Sequence, residues 1–374
     1  MKISKKDALL WFRFFAELPD DEPLLPRQQE LAYAAFSQIE AAAEARFSAL
    51  AAEIPGLQSL AGRTTYVGPA AQFPPGCVSC LTGTGLTAVR KTNRCNLACP
   101  FCYDYGHLTD QPPIGEGYWE IGGCRYRAED IPLILSIQGK PSGVSYVYLE
   151  PFCEIEVYEP MIRAFHEAGV HQHMYTNGTL CTRENLAMLG AAGLDELRFN
   201  LGASGCADKV IDSLALAREY IPHVGIETPM TPDFLDAFRR KKERILAAGP
   251  AFMNCAELHL NPNNLANYAG ENLYFSRLGY LSPVWSREIA LRLMKEAAEE
   301  AWPMAVHCCS NRTKFARELN LAARERRWFG ASGWGSEFDR IPYEAFLPVL
   351  SDPDFPFLEE EPLPPGYRPG DIVL

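Results

Sequence analysis

The chain has 374 residues, 47% hydrophobic and 22% charged, and its 35 Lys and Arg against 47 Asp and Glu leave a formal charge of −12. That length accommodates one large domain with an appendage, and the acidic balance excludes a general nucleic-acid surface, which depends on clustered Lys and Arg. No run approaches the roughly 18 apolar residues of a membrane span and the N-terminal stretch has no small-residue cleavage site, so the cytoplasm is the expected compartment.

The first sixty residues read as a helical hairpin. Ser4 can cap a helix carrying Leu9, Trp11, Phe12 and Phe15, and Pro26 suits the first turn of a second. In that second helix Phe36, Ile39, Ala43, Phe47, Leu50 and Ile54 recur at intervals of three and four, and Pro55 stops it. Such a stripe packs against a main domain or, alternatively, serves as a partner or dimerisation arm.

From about Leu86 short β-rich runs alternate with amphipathic helices, the pattern of βα units on a parallel sheet. Strands are expected at Thr87–Thr92, Gly143–Leu149, Gln172–Thr176, Glu196–Leu201, Val224–Thr228 and Met253–Leu258. Helices are expected near Ala128–Leu135, Tyr158–Ala168, Thr182–Ala192, Ala207–Tyr220, Pro232–Ala248 and Ser286–Ala301, with Thr182, Thr231 and Ser286 as N-caps and Pro232 at a first helical position. The fold class is therefore α/β, an open partial (β/α)6 barrel over residues 85–309. A helical segment (1–62) and a linker (63–84) precede it, and a C-terminal extension (310–374), rich in Pro and acidic residues beyond about Trp328, follows it. Sites in such barrels collect at the C-terminal ends of the strands. Two segments break the rhythm: a hairpin around Gly122-Gly123, and a long aromatic loop from His259 to Leu281, placed where a substrate lid would sit.

Twelve cysteines in such a chain point to metal or redox chemistry rather than disulfides, and five of them fall between Cys77 and Cys102. Cys95-x3-Cys99-x2-Cys102 follows the first barrel strand and is trailed by Tyr103. Thiolates are the preferred ligands of iron–sulfur clusters, and three of them hold three corners of a cubane while leaving the fourth iron open. A zinc ribbon or a plain electron-transfer cluster is the alternative, but the ribbon needs a fourth ligand at ribbon spacing and bacterial ferredoxins use shorter gaps.

This motif resembles that of the radical S-adenosylmethionine (radical SAM) superfamily. The resemblance implies a [4Fe–4S] cluster on Cys95, Cys99 and Cys102 whose open iron chelates S-adenosylmethionine, reductive cleavage to a 5′-deoxyadenosyl radical, and an external reductant such as flavodoxin or ferredoxin. It also implies that Glu150-Pro151 stands for the family's Gly-Gly-Glu-Pro, with Tyr148 and Leu149 in place of both glycines, so that Glu150 receives the methionine amino group. Thr176 and Asn177 look like part of the adenosyl pocket, Arg198 or Asn200 like the group binding ribose or carboxylate, and the strand holding Glu227 like the one that meets the adenine. Asn254 and Glu257 are substrate-side candidates, and Cys153 is a candidate hydrogen-atom donor.

Cys77-x2-Cys80 is a two-ligand clip, and His307-Cys308-Cys309 supplies a second half if the run from Met304 to Val306 adds beside the first barrel strand. Cys77, Cys80, His307 and Cys309 would suit zinc, and four cysteines including Cys308 an auxiliary iron–sulfur cluster. The pairing resembles a subgroup labelled pyruvate formate-lyase activating enzyme-like. The remaining cysteines lack ligand spacing and read mostly as core, and His171 and His173 read as facing protein. The expected substrate is a small molecule or peptide. The competing functions are an activase that places a radical on a partner protein and a non-catalytic metal scaffold.

Overall fold

The computed structural model describes residues 40–82, 86–106, 108–121, 124–260, 263–268, 271–276, 280–311 and 313. The expectations for Ser4 to Phe15, for Pro26, Phe36 and Ile39, for the Gly122-Gly123 turn and for the tail beyond Trp328 lie outside these residues.

Residues 40–52 form helix α1. Gln58–Leu60 (β1) and Thr64–Val67 (β2) follow as an antiparallel pair, then helix α2 (Pro75–Thr82) and strand β3 (Leu86–Arg90). Trp119–Ile121 (β4) and Cys124–Tyr126 (β5) pair antiparallel, with Ile121 opposite Cys124. The repeat then runs α3 (Ile131–Gln138), β6 (Gly143–Tyr146), α4 (Glu159–Glu167), β7 (His171–Thr176), α5 (Arg183–Ala192), β8 (Glu196–Phe199) and α6 (Asp208–Ala217). It continues with β9 (His223–Pro229), α7 (Pro232–Ala248), β10 (Phe252–Ala256), a hairpin of β11 (Leu273–Ser276) and β12 (Tyr280–Pro283), α8 (Val284–Glu299) and β13 (Ala305–Cys309).

Strands β3, β6, β7, β8, β9 and β10 pair in that order, all parallel, which makes the partial (β/α)6 barrel. Strand β13 extends it as a further parallel strand beside β10, and β2 lies antiparallel on β13. This corrects the expectation that the Met304–Val306 run returns beside the first strand. Helix α8 is an ordinary crossover from β10, and a crossover lays its strand in the next free slot of the sheet. The slot beside β3 is taken by the inserted hairpin, since β4 pairs with β3.

Local signals set the helix ends. Thr182 and Thr231 cap α5 and α7, their hydroxyls accepting from Asn185 and Phe234 N–H at 3.3 and 3.1 Å, with Pro232 in the first turn. Ser286 is not a cap. It lies inside α8, fully buried, and its hydroxyl accepts from Leu258 N–H and donates to the Met230 carbonyl, each at 2.8 Å, so tertiary partners have claimed it.

Strand alternation gives the sheet two unlike faces. Tyr146, Met174, Leu197, Phe199, Ile226 and Met253 are buried in the apolar core under the helices. The other face carries Ser145, His173, Tyr175, Glu196, Arg198, Glu227, Asn254 and His307, and α2 closes over it. A Cβ on Gly76 would meet Arg198 Nη2 at 2.5 Å and His173 Nδ1 at 2.6 Å, so only glycine lets α2 approach this closely. Helix α1 packs on the opposite side: Phe47 is buried with its ring 5.2 Å from Tyr274, and Glu44 pairs with Arg287 of α8. The packing reading of the second hairpin helix therefore holds over residues 40–52.

Candidate active site

The cysteine loop leaves the C-terminal end of β3, where parallel β/α barrels place their chemistry. Cys95, Cys99 and Cys102 are half-buried free thiols. Within the loop Cys102 N–H donates to the Cys99 carbonyl at 3.0 Å, and Tyr105 N–H donates to Cys102 Sγ at 3.2 Å. Burial pushes Cys95 up to about 11 and Cys99 up to about 12, and raises Cys102 as well. Like charge adds to burial, because Cys102 and Cys95 both act on Cys99.

Among the described residues no three His, Cys, Asp or Glu side chains are drawn together as ligands of a metal. The donor chemistry of the cysteine loop nevertheless fits an iron–sulfur cluster. Three soft sulfurs lie in one short loop, and burial keeps each protonated until a metal's charge displaces the proton.

Glu150 faces this loop from the end of β6. Its N–H donates to the Arg94 carbonyl at 3.1 Å, tying the two segments together just before Cys95. The carboxylate accepts from Phe152 N–H at 3.1 Å, Thr176 hydroxyl at 2.8 Å and Asn177 N–H at 2.6 Å. Burial pushes Glu150 up to about 7, and those three donors hold it from rising further. A carboxylate has about four lone-pair sites, so three donors leave room for one more. Asn177 carries the contact onward, its amide donating to Asn96 of the cysteine loop at 2.9 Å. Pro151 opens the turn after Glu150, and Cys153 lies two residues further, its thiol raised chiefly by burial.

Tyr148 and Leu149, which replace both glycines of the resembling motif, have φ of 75° and 52°. The left-handed backbone that two glycines adopt freely is kept here by side-chain-bearing residues. That conformation costs on the order of 1–2 kcal/mol per residue and persists at sites that need the shape.

The other sequence candidates lie elsewhere. Arg198 is 2% exposed and committed to Glu196, Glu227 and the Tyr175 hydroxyl, so Glu227 is its ion-pair partner under the barrel floor. Burial works against ionisation of Glu196, yet Arg198 and the neighbouring His171 hold its carboxyl well below the usual range. Asn200 joins strand ends, its side chain accepting from Thr228 hydroxyl at 2.7 Å and Ala203 N–H at 3.1 Å. Asn254 lies on the α2 side, 4.0 Å from Cys77 Sγ, with no hydrogen-bond partner for Oδ1. Glu257 accepts from Tyr274 hydroxyl and from Asn311 N–H, the latter at 2.6 Å.

Of the clip residues, Cys77 is buried beside Asn254, and His307, in register with Asn254, has its Nδ1 buried without a hydrogen bond. Burial, with the Arg198 charge, pushes His307 down to about 3, leaving a neutral imidazole. Burial raises the Cys77 thiol, with Cys309, which alternates onto the same face as His307, adding a little, while Cys80 lies one turn along α2. Cys308 is on the opposite face, paired in register with Cys255, so a four-cysteine set that includes it is excluded by strand alternation. Cys181, Cys206 and Cys255 are buried, and Cys124 is exposed.

Sequence reasoning missed one set of residues. From the loop after β10, Asn267 Nδ2 donates to the Pro100 carbonyl at 2.8 Å, Asn264 Nδ2 to that of Phe101 at 3.2 Å, and Asn263 Nδ2 to that of Tyr103 at 3.1 Å. Polar loop residues have no periodicity to reveal them, and only the run of asparagines in Asn263-Asn264-Leu265-Ala266-Asn267 hinted at a shared task.

No family model matches the chain. Over 202 residues it is 27% identical to a protein of Methanocaldococcus jannaschii named "Putative glycyl-radical enzyme activating enzyme", the match covering 52% of each chain. The chain is similar to the radical SAM activating enzymes. The resemblance first carried by Cys95, Cys99 and Cys102 is thus joined by a likeness over 202 residues, and the chain spans about half the length of that relative. Among solved structures, that of Streptococcus suis SuiB bound to precursor peptide SuiA aligns with a TM-score of 0.42 and 13% identity, over 63% of this chain and 51% of that one. No helix among the described residues is long and apolar enough to cross a membrane.

Proposed function

We propose that this chain is a radical SAM enzyme of the cytoplasm that abstracts hydrogen from a small-molecule or peptide substrate. The observation that carries the reading is the junction of the cysteine loop with Glu150 and Asn177, through Glu150 N–H to Arg94 and Asn177 to Asn96. When bound on Cys95, Cys99 and Cys102, a [4Fe–4S] cluster reduced by a flavodoxin- or ferredoxin-like partner supplies the electron that splits S-adenosylmethionine into methionine and the 5′-deoxyadenosyl radical. Glu150 offers its remaining acceptor site to the methionine ammonium group, with Pro151 fixing the turn. Thr176 and Asn177 hold that carboxylate in place, and their segment borders the adenosyl moiety. Asn200, joining the ends of β8 and β9, is the polar group nearest in role to a ribose contact. Cys153, whose N–H donates to the Glu150 carbonyl at 3.0 Å, is the candidate hydrogen-atom donor. A second metal, zinc, belongs at Cys77, Cys80, His307 and Cys309.

An activase acting on a partner protein is the second reading, favoured by the name of the Methanocaldococcus jannaschii relative. The test is anaerobic reconstitution with iron and sulfide, a count of iron and zinc, then dithionite with S-adenosylmethionine and quantification of 5′-deoxyadenosine. Nucleoside formation with about four irons supports the enzyme. Iron-loaded protein that forms none, with candidate substrates or partner present, favours a non-catalytic scaffold, and absence of zinc removes the second site.

A further inference from the structure

The cysteine loop is held in part from a distant stretch of the chain. Between Pro100 and Tyr105 the backbone is irregular, with Cys102 N–H donating to the Cys99 carbonyl and Tyr105 N–H to Cys102 Sγ. Three of the four carbonyls from Pro100 to Tyr103 are instead bound from outside by Asn267, Asn264 and Asn263. Asn264 is 1% exposed and also donates to the His259 carbonyl at 3.0 Å, while the His259 ring lies 4.8 Å from that of Tyr103. The chain segments so joined are about 160 residues apart, as the 160, 163 and 167 residue separations of these bonds record.

We propose that Asn263, Asn264 and Asn267 form a clamp that positions the cysteine loop and raises the reduction potential of the cluster it holds, an inference that rests on the radical SAM reading. The physical reason lies in the direction of the carbonyl dipoles. A peptide oxygen turned toward a cluster opposes the extra negative charge that reduction adds, and hydrogen bonds around a cluster are among the protein's main controls on its potential. With their oxygens fastened to amide donors, Pro100, Phe101 and Tyr103 are kept from swinging toward the sulfurs. The clamp also belongs to the loop that follows β10, so whatever moves that loop moves the cluster's ligands. Asn263, Asn264 and Asn267 are positioning residues in this scheme, acting through the cysteine loop rather than on the substrate.

Asn264→Asp keeps the shape and removes the donor while adding a charge, Asn267→Ala removes a donor without adding one and is measured beside it, and Asn264→Gln keeps the donor. Two measurements read the consequence. In the metal-free chain, deuterium exchange of the amides of residues 99–105 is expected to quicken about tenfold in Asn264→Asp, the worth of a part-buried carbonyl left without its partner. In the reconstituted protein, a potential titration followed by electron paramagnetic resonance is expected to show a more negative midpoint for Asn264→Asp at equal iron content, with Asn264→Gln restoring most of it. Asn267→Ala, which removes an exposed bond, is expected to move both readouts in the same direction by a smaller amount, and it stands alone should Asn264→Asp not fold. Wild-type exchange and wild-type potential in these variants would overturn the proposal. Exchange that quickens while the wild-type protein makes no 5′-deoxyadenosine would leave the clamp standing and remove the radical SAM reading beneath it.

Discussion

Two residue-scale features beside the cysteine loop carry measurable costs. Leu149 occupies a left-handed conformation at φ 52°, which glycine adopts without penalty and a β-branched residue adopts least of all. Leu149→Gly is therefore expected to leave the unfolding free energy from chemical denaturation unchanged or raised by up to about 1 kcal/mol, and Leu149→Val to lower it by about 1–2 kcal/mol. The same order in reverse would show that the segment is unstrained. Glu150 carries the second cost. Its carboxyl titrates at about 7 when folded, above the ordinary 4.5, because burial outweighs its three donors. A raised carboxyl binds a proton in the native state that the unfolded chain has released. Its contribution to stability is thus full below about 4.5 and is lost as pH rises to about 7. Melting temperatures across that window are expected to fall with rising pH by a component that Glu150→Gln abolishes. An unchanged slope in the variant would assign the titration to another group.

The barrel's repeating elements were largely legible in the sequence. Six strand–helix repeats follow from period-two and period-3.6 apolar spacing, and Thr182, Thr231 and Pro232 mark helix starts that the structure retains. The slot taken by β13 was not legible, because local composition around Met304 says nothing about which sheet edge is free. Ser286 misled for a related reason: a serine near a helix start reads as a cap until tertiary donors and acceptors are known, and here Leu258 and Met230 claim it. The site divides the same way. Cysteine spacing announces a ligand set, but Arg198 and Glu227, placed toward the cofactor by resemblance, are spent on one another. Helix α2 was invisible beyond its two cysteines, and its tight approach yields a prediction of its own. Gly76→Ala would set a methyl group 2.5 Å from Arg198 Nη2 and 2.6 Å from His173 Nδ1, so a loss of about 1–3 kcal/mol in denaturant unfolding is expected. A neutral effect would mean that α2 is free to lift off the barrel floor.

Across the whole molecule, a parallel sheet has one apolar face under helices and one polar face under α2, and the cysteine loop stands at the strand ends. Helix α1, through Phe47, Glu44 and Arg287, buttresses the side of the barrel that carries α8. The polar face is costly to bury unless its charges are paired, and the pairs Arg198–Glu196 and Arg198–Glu227 meet that requirement without any group from the cysteine loop. Two separable regions result: a floor where α2 covers the paired charges, and an open end where the proposed radical chemistry would begin. That separation makes Cys99→Ala a clean probe, because it removes one of the three proposed cluster ligands at the open end and leaves the floor intact. The decisive measurement is 5′-deoxyadenosine formed anaerobically from S-adenosylmethionine by reconstituted wild-type and Cys99→Ala protein at matched folding. Nucleoside from the wild type and none above background from the variant is the predicted result, and equal nucleoside from both would contradict the account.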